Sequence, residues 1–307
     1  MSTPVTSSSS WRQLLPGQRA ELRIFHVDSG LDELVYRENA AVIEAPNWSV
    51  DGDWLILNRD GLLYRIAPTG GELERLDTGE LTDSNNDHVL SADGRFLYAS
   101  SEDGHLYEVP LPGGPARRVT HPGDGVPMHY LHGISPDGRT LAFIGSLPAR
   151  GIEDYNVLIA DVATGAIDAL TTAAAPHDGS EYDPSGAYVY FNSERASTIP
   201  GHSQLFRMDR DGSNITQLTF DERVNWFPHI SPDGTRLVYL SYPAGTLGHP
   251  ANLPVELRLS TPELDPAHTR TVVSLFGGQG TINVHSWAPD STRFAYVAYP
   301  LTEETNR

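Results

Sequence analysis

The chain contains no cysteine and no lysine. The first absence excludes disulfides, thiolate nucleophiles and Cys-ligated zinc or iron–sulfur centres. The second excludes Schiff-base chemistry and a lysine general base, and all 21 basic residues are arginines. Positive charge is scarce as well. The formal net charge is −19, and no local basic patch offsets it, which argues against a nucleic-acid partner. No apolar run is long enough to span a bilayer, so no membrane partner is expected. Residues 1–10 are small and polar and carry neither a basic n-region nor an apolar h-region. They read as a flexible tail and not a secretory signal, which implies a cytoplasmic protein.

Glycine and proline, in contrast, are plentiful, with 28 and 23 residues among 307. That load suits many short strands joined by tight turns. Part of it belongs to a recurring phrase: Ser49-Val50-Asp51-Gly52, Ser91-Ala92-Asp93-Gly94, Ser135-Pro136-Asp137-Gly138, Asp183-Pro184-Ser185-Gly186, Ser231-Pro232-Asp233-Gly234 and Ala288-Pro289-Asp290-Ser291. The copies are 42, 44, 48, 48 and 57 residues apart. An apolar residue precedes each phrase: Trp48, Leu90, Ile134, Tyr182, Ile230 and Trp287. Proline presets φ, aspartate bonds its own backbone, and glycine takes φ > 0, so the phrase is a turn between strands. A β-rich run, a third strand and a short edge strand follow it.

Four antiparallel strands in each of six units predict an all-β, six-bladed β-propeller. The ends fit a closed ring. Only one strand, Arg293 to Val297, follows the sixth phrase, and two unassigned strands, Glu21 to Phe25 and Glu33 to Tyr36, open the chain. A last blade closed by N- and C-terminal strands leaves no free sheet edge in the ring. The expected organisation is an N-terminal tail over 1–19, one propeller over 20–300 and a C-terminal tail over 301–307. The repeat resembles the WD40-like Pro-Asp repeat of the TolB-type propeller family from about Glu21 to Tyr299, a resemblance that speaks for fold more than for function.

In a propeller the segments entering the innermost strands open on one face, together with the loops joining strands two and three. Four of the six entries carry a histidine at nearly the same point, His88, His132, His229 and His285, and Glu181 holds the place in a fifth. Two readings stand: the imidazoles converge on a divalent ion at the channel mouth, or they bond neighbouring blades. A ring of imidazoles suits Mn, Fe, Zn or Ni better than Ca. On the same face Arg150 and Arg195 are candidates to clamp a carboxylate, Tyr130, Trp226 and Tyr242 to stack on a sugar, and Asn86, Asp87, Asn225 and Asn283 to bind the substrate. His132 or His249 would take a proton, with Arg195 in the catalytic set.

The stretches Asn225-Trp-Phe-Pro-His229-Ile-Ser-Pro-Asp-Gly234 and Gln279-Gly-Thr-Ile-Asn-Val-His285 resemble oligogalacturonate lyase, a propeller enzyme with a metal at the channel mouth. That resemblance implies His229, His285 and Gln279 as ligands and a lyase or isomerase acting on a small acidic or oxidised sugar. The other reading is a propeller scaffold that presents its face to a protein or glycan without chemistry.

Overall fold

The computed structural model describes residues 11–302. Residues 1–10 of the expected N-terminal tail and 303–307 of the expected C-terminal one lie outside the described residues. The chain forms six antiparallel sheets, and consecutive strands within a sheet are neighbours, as a propeller requires. Five blades have four strands each, with inner strands Glu44–Trp48, Ser84–Leu90, Tyr130–Ile134, His177–Tyr182 and Val224–Ile230. Among the described residues the single helical turn is a 3₁₀ segment, Pro148–Arg150.

The repeated phrase works through its side chains. The hydroxyls of Ser49, Ser91, Ser135 and Ser231 donate to the carboxylates of Asp51, Asp93, Asp137 and Asp233 at 2.5–2.8 Å. Each of these serine oxygens also accepts the N–H five residues on, at 2.9–3.0 Å. Each aspartate accepts the N–H two residues on, at 3.0–3.1 Å. The turn's orphan donors are therefore paired within the phrase. In the fourth blade the two roles are exchanged, with Asp183 Oδ1 taking the Tyr188 N–H at 2.8 Å and Ser185 donating to Asp183.

The ring closes as the termini imply. Ala20–His26 pairs with Arg293–Ala298 on one side and with Asp32–Glu38 on the other. Leu22 and Ile24, buried on that closing strand, join Ala295, Val297, Leu55 and Leu57 in one apolar cluster between the sixth and first blades. The sixth blade differs from the rest at its inner position. Residues 281–287 touch the neighbouring strand through a bridge at Trp287–Phe294 and single bonds to Ser286 and Thr281. Trp11 packs over Gly61 and Gln18 bridges Leu301, so residues 11–19 lie against the ring.

Each of the five regular inner strands carries a bulge, between its first residues and the turn phrase. In three of them the residue after the last regular pair has positive φ: Ala45 at 53°, Gly179 at 61° and Phe227 at 54°. The extra residue turns the side chains that follow it to the other face of the strand.

Candidate functional site

The channel holds a lower cavity of about 350 Å³ and an upper one of about 510 Å³. His132 lines both. At this waist the sixth blade's inner segment reaches across the channel, where His229 Nε2 donates to the Ile282 carbonyl at 2.6 Å and His132 Nδ1 to the Asn283 carbonyl at 3.2 Å. Glu181 joins the other two imidazoles. Its carboxylate meets His229 Nδ1 at 2.6 Å and His285 Nδ1 at 3.0 Å, and accepts the Ile230 N–H at 3.1 Å. Burial works against the Glu181 charge, but His229 and His285 outweigh it and hold the carboxyl down at about 2.

A second cluster sits above. Asp178 lies between two histidines, 2.8 Å from His132 Nε2 and 3.4 Å from His249 Nε2. His249 Nδ1 bonds Gln279 Oε1, which also accepts from Asn283, and Gln279 reaches Asn86 at 3.4 Å. Burial would lower His132, yet Asp87 and Asp178 lift it to about 9. Burial raises Asp87 to about 6, partly opposed by the His132 charge. Asp178 is also pushed up by burial, but its bonds and attraction to His132 hold it well below the usual carboxylate range. Two carboxyls facing one imidazole thus titrate far apart.

Of the residues singled out in the sequence, Asn86, Asp87, Tyr130, His132, Trp226, His249, Gln279 and Asn283 line the upper cavity. Glu181, His132 and His285 line the lower one. His88 lines neither: it is fully buried, and burial lowers its imidazole to about 4. Asn225 is buried against Ser241 and Asp221, and Tyr242 is buried with its hydroxyl on the Pro250 carbonyl. Arg150 and Arg195 are exposed and line neither channel cavity.

Sequence reasoning did not select Asp178, Tyr155, Glu102, His177 or Glu194, which complete the upper wall. Asp178 stands directly before the bulge glycine Gly179, and that Asp-Gly pair at a strand entry is the one signal that could have found it. Arg12 is a further surprise. It bonds the Gln279 carbonyl, pairs with Glu44 at 3.3 Å and stacks on Tyr299 at 4.2 Å.

The channel histidines fit a metal poorly as they stand. Both ring nitrogens of His132 and of His229 are engaged, and so is the side-chain oxygen Oε1 of Gln279. The His229 and His285 rings stand 6.4 Å apart and nearly perpendicular, each turned to Glu181. Among the described residues the one group of three His or acidic side chains with ligand-like spacing is His105, Asp124 and His129, outside the channel.

Six antiparallel blades closed into a ring by the terminal strands are the architecture of a TolB-type β-propeller, and the TolB beta-propeller domain model (PD40) matches residues 128–252. The chain belongs to this family, with the protein Atu1656 of Agrobacterium fabrum as a relative, 38% identical over 92% of both chains. A solved structure from Agrobacterium tumefaciens described as a candidate TolB is 36% identical, with a TM-score of 0.83, and covers 93% of this chain and 99% of that one. An oligogalacturonate lyase in complex with manganese is 17% identical, with a TM-score of 0.54 over 76% of this chain and 67% of its own, a likeness of fold. Among the described residues no helix is long and apolar enough to cross a membrane.

Proposed function

We propose that the protein is an acid–base enzyme acting on a small neutral sugar, an aldose or ketose, held in the upper cavity. The observation that carries this reading is the pair Asp87 and Asp178, set against His132 with their acidities pushed apart. Asp87, raised to about 6, is a base poised near working pH. The ionised Asp178 orients His132 and His249. Proton abstraction next to a carbonyl is the step common to lyases and isomerases, and it asks for such a base.

The wall chemistry favours a neutral ligand over the acidic sugar expected from the sequence. Four carboxyl side chains, Asp87, Glu102, Asp178 and Glu194, line the cavity, and no arginine does. Tyr130 and Tyr155 meet edge to face at 5.8 Å, and Trp226 stands 4.6 Å from the His249 ring, which supplies flat surfaces for a sugar face.

Purified protein screened by thermal shift and turnover against neutral sugars, polyols and uronates tests the reading. A neutral aldose or ketose that raises Tm and is converted supports it, provided that Asp87→Asn lowers kcat by about 10²–10⁴-fold. For the active enzyme kcat/KM rises with pH through about 6 as Asp87 loses its proton, and falls toward 9 as His132 loses its own. No response to any small ligand, with a protein recovered on the channel face instead, rejects it in favour of the scaffold.

A further inference from the structure

We propose that His105, Asp124 and His129 bind one divalent first-row transition ion, zinc foremost, as a clasp between the second and third blades. His105 stands directly before the second blade's third strand, Leu106–Pro110, whereas Asp124 and His129 lie on the connection into the third blade's inner strand Tyr130–Ile134. One ligand atom from each of the three lies within 4.8 Å of the others. His129 is wholly buried, yet its Nε2 has no hydrogen-bond partner among the described residues, and neither has Asp124 Oδ2. These two atoms are 3.3 Å apart. Two ligands bonded at about 2.0–2.1 Å to a tetrahedral ion stand about 3.4 Å from each other.

The surroundings hold the ligands as a metal site does. His129 Nδ1 donates to the Gly104 carbonyl, His105 Nδ1 meets Thr120 Oγ1 at 3.0 Å, and Asp124 Oδ1 accepts the Val126 N–H at 2.9 Å. The remote atom of each ligand is thus fixed, which sets ring orientation and leaves one donor free. The His129 ring is further packed against Phe143 at 4.8 Å. An ion pair alone does not account for the arrangement. A protonated His129 would aim its N–H at Asp124, whereas the two groups lie in range without hydrogen-bond alignment. A cavity of about 360 Å³ opens beside His105 and Asp124, with room for water in the remaining coordination positions. Two imidazoles and one carboxylate suit zinc, or cobalt as its spectroscopic substitute, and not calcium.

The test uses full-length protein stripped with chelator and then titrated with Zn²⁺ and Co²⁺. We expect one equivalent bound per chain, a higher Tm with zinc, and intense visible bands of four- or five-coordinate Co²⁺. Asp124→Asn, which keeps the side-chain shape, and His105→Gln should each weaken zinc binding more than about a hundredfold. His132→Gln, a change at the channel, should leave the stoichiometry and the cobalt spectrum unchanged. Three results would overturn the assignment: no bound zinc, the pale spectrum of hydrated Co²⁺ with wild-type protein, or full binding in folded Asp124→Asn. The cobalt spectrum is read on the wild type, so it decides the matter even if a variant does not fold.

Discussion

The serine and aspartate of the turn phrase show how little of a repeat has to be invariant in letter. Two oxygen-bearing side chains, two positions apart, close the turn, and either order serves: Ser231 with Asp233 in the fifth blade, Asp183 with Ser185 in the fourth. The exchange Asp183→Ser with Ser185→Asp should therefore leave stability within about 0.5 kcal/mol of wild type. Asp183→Ala should cost about 1–3 kcal/mol, because the half-buried Tyr188 N–H loses its acceptor. Urea melts of the three proteins measure both values, and a destabilised double exchange would contradict this account. Glycine at the end of the phrase is needed for its backbone, with φ near 70–80° at Gly52, Gly138, Gly186 and Gly234. Ser291 takes φ 60° at the same place in the sixth blade, so strain there is tolerated when the residue is small.

At the scale of strands, the fold was legible and the site only partly so. The turn phrase and the period-2 runs behind it locate strands directly, and the leftover strands at the two ends leave ring closure as their only pairing. Side-chain direction at the channel was not legible, because it depends on where each inner strand bulges. His88 and His132 stand equally far before their phrases. His132 is itself the bulged residue of its strand, whereas the irregularity of Ser84–Leu90 comes earlier and leaves His88 paired opposite Ala99. One points into the lumen and the other lines neither cavity. The sixth inner segment was hidden for a related reason: its spacing is that of a strand, but its carbonyls are spent on His132 and His229. Closure itself is open to test. Leu22→Ala on the closing strand should cost about 2–5 kcal/mol, for a wholly buried leucine in a packed cluster, against less than about 0.5 kcal/mol for Leu34→Ala on the outer strand. Equal effects in denaturant melts would mean that the terminal strands do not hold the ring.

For the whole molecule the charge distribution has two layers. The chain is acidic, with a net charge of −19, and exposed groups, solvated alike in the folded and unfolded states, add little slope to stability. The channel does add one. His132 titrates at 6.5 when unfolded and at about 9 when folded, because Asp87 and Asp178 outweigh the cost of burying its charge. A raised histidine contributes in full below its unfolded value, and the contribution is lost as pH climbs from 6.5 to about 9. The ceiling on that loss is roughly 3 kcal/mol. Glu181 acts at the other end: its folded value of about 2 lies below the ordinary 4.5, so its contribution is present above 4.5 and lost as pH falls toward 2. Calorimetric Tm values at fixed ionic strength should therefore fall between pH 6.5 and 9 in the wild type. His132→Gln, lower in Tm at neutral pH, should fall less steeply over the same interval, where His249, held up against burial by Asp178, still titrates. An identical alkaline slope in the variant would place the titrating group elsewhere. A shallower slope would tie the stability of the ring to the same Asp87–His132–Asp178 cluster on which the proposed chemistry depends, since the propeller's waist and its upper cavity share that histidine.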